Sequence, residues 1–373
     1  MNSSGSTKRA NILIATTQVP YTEGGAEVLV RTLRKELSSR DFNVDVVQIP
    51  FSAEPKSELL RQMALWRNLD LKSFSGHDVD LVITTKFPSY MVNHPRKSLW
   101  LVHQHRQFYD LYASRFGDFS SDRDNETIRQ MVMDADKKAL EECQACYTIS
   151  PNVTDRVNRY FGMNAPSLPP PLPLGDAYHR SEPENYLLSV GRICSIKRVD
   201  MMIKAMAQVD DSLKLKIVGL PDEAAHEQYL KNEIDKHHLW NRVEFLGRVS
   251  EEDLISLFSK AFAVYYAPFD EDYGYVTLEA LASGVPVITC TDSGGVLSYI
   301  EHGKNGLLAE PTVDAVAEQA NRLLKEEGLR TALAANCTVG DFTATWDQVV
   351  ESLTAPLLDC SVSDLKSKKT LVG

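Results

Sequence analysis

The chain has 373 residues, of which 43% are hydrophobic and 24% charged, and its formal net charge is -11. This acidity argues against broad nucleic-acid binding, for which a basic face would supply the affinity, but it leaves room for a local phosphate pocket. The length predicts two domains, and because no run of about 18 apolar residues occurs we expect no transmembrane helix.

The first nine residues lack the apolar core of a signal peptide, so they predict a flexible lead-in. The six cysteines are scattered. Cys143 and Cys146 form a C-x-x-C pair, but no second pair completes a zinc site, and a buried structural role is favoured. These features predict a cytoplasmic protein.

The first half of the chain alternates apolar runs with amphipathic segments. Strands are predicted at residues 11–16, 44–49, 79–84, 97–102 and 145–150, and helices at 26–37, 57–72, 134–142 and from 151. Gly24 and Gly25 lie between the first strand and the first helix, which is how a Rossmann-type unit opens. The pattern is not G-x-G-x-x-G, so dinucleotide binding is disfavoured, and a plain tight turn is an equal alternative.

The helix predicted at 57–72 carries apolar residues among lysines and arginines. Such a helix could lie on a membrane surface. Packing on its own domain is the more common outcome and is favoured here.

Polar residues follow the strand predicted at 97–102, among them His103 and His105. Ligands of open α/β sheets bind beyond the carboxyl ends of the strands, so both histidines are site candidates. Two histidines two positions apart could also suggest a metal, but no carboxylate or cysteine at supporting spacing is visible, so a metal site is disfavoured.

Prolines crowd residues 167–175 and predict a stiff connector. We therefore divide the chain into a first domain at 8–172, a second at 173–340, a closing helix at 341–358 that returns to the first domain, and a tail at 359–373. The second domain repeats the alternation, with strands predicted at 186–192, 213–219, 243–249, 263–268 and 285–289. The fold class is thus α/β, with two Rossmann-like, doubly wound domains expected to face a cleft.

Two cations, Arg192 and Lys197, flank a predicted strand-to-helix turn, where they could clamp a diphosphate. A solvated pair of surface cations is the alternative when only the spacing is considered.

A loop at residues 270–277 follows an apolar strand and enters a helix. A helix N-terminus binds anions through its free N–H groups and its dipole. Glu271 and Glu279 would repel a phosphate but can accept hydrogen bonds from sugar or ribose hydroxyls. The stretch therefore predicts a ligand that carries both phosphate and hydroxyls, although a solvated helix face is the simpler alternative.

The two glutamates, the small-residue helix after them, the segment Gly-Val-Pro-Val-Ile at 284–288 and the pair Gly294–Gly295 together resemble the donor-binding region of retaining family-4 glycosyltransferases. These enzymes have the two-domain architecture called GT-B. The resemblance covers about residues 10–356 and is most specific at 191–306. Two departures are Arg198, where relatives often have glycine, and Ser298, where they usually have glutamate; the sequence leaves open whether Arg198 adds charge or points outward.

The resemblance implies a role for each matched residue. Glu271 would hold the sugar ring, His103 or else His105 would contact the transferred sugar, and Arg192 with Lys197 would stabilise the leaving diphosphate. Glu279 would hold the ribose, and the loop at Leu246 and Val249 would hold the base. The remaining donor-binding positions are Gly24, Gly25, Gly191, Gly274, Tyr275, Val276 and Thr277.

The function implied is transfer of a sugar from a nucleoside-diphosphate sugar to a glycan or lipid-linked acceptor, without metal or cofactor. Lipid-linked acceptors keep a peripheral membrane contact open. Two alternatives remain: a nucleotide-sugar epimerase or hydrolase, which would need an acid–base pair, and a non-catalytic nucleotide-sugar-binding subunit.

Overall fold

The computed structural model describes residues 9–21, 24–52, 55–117 and 123–369, apart from the side chains of Lys56, Asp341 and residues 359–369. The chain divides into two compact units, Met1–Pro170 with Ala344–Gly373, and Pro171–Thr343. The boundaries predicted from the sequence lie at 172/173 and 340/341. Apart from Arg9, the predicted lead-in lies outside the described residues.

The first domain is built around a parallel sheet whose inner strands are buried. Its strands are β1 (Asn11–Gln18), β2 (Asn43–Pro50), β3 (Ser73–Phe74), β4 (His77–Asp78), β5 (Leu81–Thr84), β6 (Lys97–Leu101) and β7 (Ala145–Thr148). Among the described residues the sheet order is β2-β1-β5-β6-β7, all parallel, and β3 with β4 forms a separate antiparallel hairpin. Every residue of β5 and β6 is buried because helices cover both faces.

The helices that connect these strands are α1 (Gly25–Ser39), α2 (Lys56–Asn68), α3 (Arg123–Glu141) and α4 (Pro151–Phe161). Helix α3 begins at Arg123, well before the predicted residue 134. The prediction missed its first turns because they are polar and lack apolar residues at helical spacing. Of the apolar side chains of α2, Leu59, Met63 and Trp66 are buried, Leu60 is half-buried and Leu65 is exposed.

The second domain repeats this construction. Its strands are β8 (Tyr186–Val190), β9 (Lys214–Val218), β10 (Val243–Gly247), β11 (Ala263–Tyr265), β12 (Val287–Cys290) and β13 (Gly306–Ala309), and its helices are α5 (Val199–Ala205), α6 (Ala224–Lys236), α7 (Glu251–Lys260), α8 (Tyr275–Ala282), α9 (Val313–Lys325) and α10 (Leu329–Ala335). Its described strands are ordered β10-β9-β8-β11-β12-β13 and pair in parallel.

Each sheet has one point at which the strand order reverses. The reversal lies between β1 and β5 in the first domain and between β8 and β11 in the second. Ligands of doubly wound sheets bind beyond the carboxyl ends of the strands at such a point. A ligand site is therefore expected at the loops after β1, β5 and β6 in the first domain and at the loops after β8 and β11 in the second.

The last helix, α11 (Trp346–Lys369), belongs to the first domain and packs on β5, β6 and β7. Trp346 makes an edge-to-face contact with Trp100, and the Ser98 hydroxyl donates to the Leu353 carbonyl at 2.7 Å. The helix runs through Pro356 to Lys369, past residue 358 where a separate tail was expected, because no stop signal follows the proline. Residues 370–373 lie outside the described residues. Within the described part of the chain, no helix has the length and apolar content needed to cross a membrane.

Candidate functional site

The loop after β11 is held against the turn that contains Gly294. The Asp270 N–H donates to the Asp292 carbonyl at 2.9 Å, and the Glu271 N–H donates to the Ser293 carbonyl at 3.2 Å. In return, the Gly295 N–H donates to the Glu271 carbonyl at 2.7 Å. These backbone bonds fix the position from which the Glu271 side chain projects.

The glycine pair is required by the closeness of this contact. A Cβ at Gly294 would lie 2.6 Å from the carbonyl carbon of Asp270, and one at Gly295 would lie 2.6 Å from the Asp272 carbonyl oxygen. Gly294 also has a φ of 59°, in the left-handed region. The Gly-Gly motif therefore permits two loops to touch.

Lys197 meets the Glu271 carboxylate directly. It lies in a short 3₁₀ turn after β8, and its Nζ is 2.7 Å from Glu271 Oε2 and 3.0 Å from the Tyr266 hydroxyl. The Lys197 and Glu271 side chains are 16% and 17% exposed, respectively. Burial alone lowers the pKa of Lys197, but the adjacent carboxylate outweighs it and the net pKa is raised, so the ammonium stays charged.

Helix α8 begins four residues after Glu271, and a Cβ at its N-cap would lie 3.5 Å from the ring of Tyr266, the tyrosine that Lys197 contacts. Its N-cap is Gly274, with a φ of 89°, and no side chain caps the helix. Among the described residues the N–H groups of Tyr275 and Val276 have no acceptor, whereas Thr277 donates its N–H to the Gly274 carbonyl. The buried Thr277 hydroxyl also has no partner among the described atoms. A helix start with free donors is suited to an anion.

Glu279 lies one turn into α8 and is half-buried. Burial raises its pKa to about 7, partly opposed by a hydrogen bond from the Tyr178 hydroxyl. Tyr178 is buried and packs edge-to-face on Phe258. Its partnership with Glu279 was not foreseen, because about a hundred residues separate the two in sequence.

Three adjacent strands of the second domain end in glycines with positive φ: Gly191 at 136°, Gly219 at 135° and Gly247 at 63°. Gly191 donates its N–H to Val218, and Gly219 donates to Gly247. A Cβ at Gly219 would lie 1.8 Å from the Gly191 carbonyl oxygen. This edge of the sheet therefore presents mainly peptide groups, and Leu246 and Val249, predicted to hold a base, are half-buried beside it.

Arg192 is 46% exposed and is bound to Asp222, with 2.7 Å between Nη1 and Oδ2. It lies on the same turn as Lys197 but is not in the Lys197–Glu271 cluster. An exposed pair of this kind contributes little stability, so Arg192 can exchange its partner at low cost.

Arg198 does not point outward. Its side chain is 2% exposed and forms a two-pronged ion pair with Asp292. Its guanidinium also donates to the carbonyls of Ala267 and Pro268. The outward orientation that the sequence left open is therefore wrong. The partners that hold the side chain inward lie about 70 and 94 positions away along the chain, so nothing in the local sequence indicated them.

In the first domain the glycine loop is held by an ion pair. Glu27 is in the first turn of α1 and accepts the Gly24 N–H at 3.0 Å through one oxygen. Its other oxygen is 2.6 Å from Lys86 Nζ, in the loop after β5, with the two side chains 16% and 10% exposed. Gly24 and Gly25 are thus fixed at the carboxyl edge of the sheet, while residues 22 and 23 lie outside the described residues.

His103 and His105 have different surroundings. His103 Nδ1 is 2.7 Å from the carbonyl oxygen of Gln104, the next residue. The His105 ring packs among those of Phe51, Phe87 and Phe108, with centroids 5.1 to 5.9 Å away. Burial lowers the pKa of His105 to about 4, and His103 adds a smaller effect in the same direction. His105 is therefore neutral near pH 7.

No cluster of three or more histidine, cysteine or acidic side chains with metal-binding geometry occurs in the described ranges. The metal-independent reaction expected from the sequence stays a prediction.

The structure thus brings Lys197 and Glu271 together in front of α8, with Glu279 one turn further along the same helix. His103, His105, Gly24 and Gly25 lie in the other domain. Sequence reasoning missed Tyr266 as the partner of Lys197, Tyr178 as the partner of Glu279, and Lys86 as the partner of Glu27 beside the glycine loop. Their only signal was polar character at or near the end of an apolar run.

Comparison with known proteins agrees with this organisation. Residues 176–338 match the family model described as glycosyl transferases group 1. The fold resembles sucrose-phosphate synthase from Thermosynechococcus elongatus, with a TM-score of 0.72 over 97% of this chain and 100% of that one at 19% identity. A second similar structure is Anabaena Alr3699/HepE in complex with UDP and glucose, with a TM-score of 0.66 over 95% and 99% at 16% identity. The GT-B architecture expected from the sequence is confirmed.

Two curated relatives are N-acetyl-alpha-D-glucosaminyl L-malate synthase from Bacillus anthracis and the O-antigen chain mannosyltransferase RfbU from Salmonella typhimurium. The first is 35% identical over 41% of this chain, and the second is 31% identical over 41%. The matches span only 39% and 43% of those proteins, about two fifths of their length. The resemblance to glycosyltransferases is thus confirmed.

Proposed function

We propose that this protein is a retaining glycosyltransferase that moves a sugar from a nucleoside-diphosphate sugar to a glycan or lipid-linked acceptor, without a metal ion. The observation that carries the proposal is the buried Lys197–Glu271 pair in front of the uncapped start of α8. It combines a fixed positive charge, free N–H donors and a carboxylate, which are the groups that a sugar diphosphate requires.

Cleavage of the anomeric bond leaves negative charge on the diphosphate. Lys197 and the N–H groups of Tyr275 and Val276 would stabilise that charge as it develops, and stabilisation of this kind supplies much of the rate enhancement in many enzymes. Arg192 would turn from Asp222 to the outer phosphate. These groups would take the place of a metal ion in neutralising the leaving group.

The hydroxyls of the donor would be held by carboxylates. Glu271 would accept from the sugar ring, Glu279 from the ribose, and the glycine-rich strand ends near Leu246 and Val249 would receive the base. His103 of the first domain would contact the transferred sugar, and the leaving phosphate would take the proton from the acceptor hydroxyl. The donor would then react on the face that the diphosphate leaves, with retention of configuration.

The alternatives fit less well. An epimerase or hydrolase would use an acid–base pair, and His105, enclosed by phenylalanines with a pKa of about 4, is a poor acid near neutral pH. A non-catalytic binding subunit would have no need of a preorganised Lys197–Glu271 pair. The membrane contact predicted from α2 and the cytoplasmic location stay predictions.

The test uses the purified full chain, a panel of nucleotide sugars beginning with UDP-glucose, and EDTA. We expect one donor to raise the melting temperature and to be slowly hydrolysed in EDTA, and we expect Glu271→Gln to abolish both effects. Glu301→Gln is the matched control, because Glu301 forms an exposed pair with Lys304 in the same domain. If no donor shifts the melting temperature, or if EDTA removes activity that Mg²⁺ restores, the proposal fails in its donor or in its metal independence, respectively.

A further inference from the structure

Arg198 has a backbone conformation that favours glycine. Its φ is 53° and its ψ is 36°, in the left-handed region that side chains rarely adopt. Glycine would relieve this strain. An arginine that persists there is expected to make contacts that outweigh it.

Those contacts join three segments of the second domain. Nε donates to the Ala267 carbonyl at 2.6 Å, and Nη2 donates to the Pro268 carbonyl at 2.9 Å, at the end of β11. The two terminal nitrogens bind the two Asp292 oxygens at 2.8 and 2.7 Å. The Tyr265 hydroxyl donates to the Arg198 carbonyl at 3.1 Å. A planar guanidinium can bridge the two carbonyls and the Asp292 carboxylate at once, whereas a lysine ammonium cannot.

The segments that Arg198 joins are the ones that carry the charged pair. Lys197 is its neighbour in the 3₁₀ turn, and Phe269 donates its N–H to the Ile196 carbonyl at 2.9 Å. The turn at Asp292 and Ser293 accepts the N–H groups of Asp270 and Glu271. A movement of Arg198 or Asp292 would therefore change the distance between the Lys197 ammonium and the Glu271 carboxylate.

We propose that Arg198, through its two-pronged bond to Asp292, is a positioning residue that sets the spacing between Lys197 and Glu271, and hence between the groups that hold the diphosphate and the sugar. This inference rests on the proposed donor site and deepens it. It differs from a purely stabilising ion pair in one respect: its loss should affect the reaction step more than the binding of the nucleotide.

The reason lies in where each part of the donor would be bound. The ribose and the base would contact Glu279 and the strand ends after β9 and β10, which Arg198 does not touch. The stabilisation of the charge that develops on the diphosphate would depend on Lys197, and Arg198 fixes the position of Lys197. Misplacement of a preorganised charge lowers kcat and leaves ground-state binding largely intact.

The experiment compares Arg198→Gly, Arg198→Lys and Asp292→Asn with the parent chain, by steady-state kinetics of donor hydrolysis and transfer well below each melting temperature. We expect Arg198→Gly to lower kcat 30-fold or more with KM for the donor changed less than threefold. Arg198→Lys and Asp292→Asn should have intermediate kcat values. If Arg198→Gly does not fold, Asp292→Asn carries the test, because it leaves the arginine in place.

Arg242→Lys is the matched control for lost stability. Arg242 is also a buried arginine of the second domain, and it donates to the carbonyls of Met206, Val209, Asp210 and Leu213. This variant should melt at a lower temperature with kcat within twofold of the parent. Equal losses of kcat in Arg242→Lys and Arg198→Gly, or unchanged kinetics in Arg198→Gly and Asp292→Asn, would overturn the inference.

A second readout needs no donor. The lysines are labelled with ¹³C, and the titration of Lys197 is followed by NMR, with Lys197→Met used for assignment. In Arg198→Gly and Asp292→Asn the raised pKa of Lys197 should return toward the ordinary lysine range as Glu271 moves away. An unchanged titration in both variants would refute the positioning role. If the two variants show the titration change but the parent chain binds no donor, the positioning role stands and the proposed function is refuted.

Discussion

Lys197 Nζ lies 2.7 Å from Glu271 Oε2, so the two groups that the sequence assigned to different parts of a donor are in direct contact with each other. The ammonium and the carboxylate neutralise each other and are both largely buried. A diphosphate that arrives at Lys197 would therefore share an existing ion pair.

Lys197→Met should lower kcat by about 10²- to 10³-fold, because a preorganised charge at the leaving group is lost. The measurement is kcat at saturating donor, with Lys304→Met, in the exposed Lys304–Glu301 pair, as the control. A kcat of Lys197→Met within threefold of the parent would remove Lys197 from the proposed chemistry.

Gly294→Ala should destabilise the chain by more than about 2 kcal/mol, since both the clash and the left-handed φ oppose the methyl group. The added carbon would lie 2.6 Å from Asp270, so the Glu271 loop must move. Gly303→Ala is the control, because Gly303 has a φ of 77° with nothing within 4 Å of the new carbon. Urea unfolding should give a cost of about 1 kcal/mol for Gly303→Ala, and equal costs for the two variants would contradict the crowding argument.

Glu279→Gln should change the pH dependence of stability. The folded pKa of about 7 lies above the ordinary value of 4.5, so between these values the unfolded chain loses the proton first. The contribution of Glu279 to the free energy of unfolding therefore falls as the pH rises from about 4.5 to 7. Glu279→Gln removes this loss, so the stability of the variant relative to the parent should rise by about 3 kcal/mol between pH 4.5 and pH 8. Urea melts at the two pH values measure it, and a difference that does not vary with pH would show that Glu279 titrates normally.

The same group should give donor binding a pH dependence. Only the ionised carboxylate accepts from two ribose hydroxyls, so the Kd for a nucleotide should fall as the pH rises through about 7. Calorimetry at pH 6 and 8 on the parent and on Glu279→Gln would detect this. Identical pH dependence in the two proteins would assign the effect to another group.

His105→Phe should fold and retain activity, and its free energy of unfolding should fall less than that of the parent as the pH is lowered toward 4. The pKa of His105 is lowered to about 4, so the unfolded chain binds a proton first as the pH falls below about 6.5, and stability is lost toward pH 4. Phenylalanine fits among Phe51, Phe87 and Phe108 without that loss. His103→Phe is the comparison and should lower kcat. The assignment would be reversed if His105→Phe were inactive and His103→Phe were not.

The features that the sequence predicted well depend on local patterns. Buried parallel strands are continuous apolar runs, and the glutamates at 271 and 279 lie within one loop and helix, so their order along the chain gives their order in space. The glycines of the 294–295 turn were also recognisable, although their purpose, close contact with Asp270 and Asp272, depends on a loop some twenty residues earlier.

The features that were missed depend on partners far apart in sequence. Arg198 gave no sign that it would face inward, because its acceptors come from two later segments. Tyr178 and Lys86 lie in or beside connecting loops, where composition alone does not tell which polar residue meets a carboxylate. The early start of α3 was missed because its first turns are polar and have no apolar residues at helical spacing.

The three glycines that end β8, β9 and β10 have a consequence for how such a protein can diverge. A ligand that rests on this rim meets peptide groups, which every amino acid supplies alike. Side-chain substitutions nearby can then accumulate without altering what is recognised, and a new preference requires the main chain itself to shift. Since a Cβ at Gly219 would run into the carbonyl of Gly191, even that shift demands concerted change in two loops, so a substitution of either glycine alone is disfavoured.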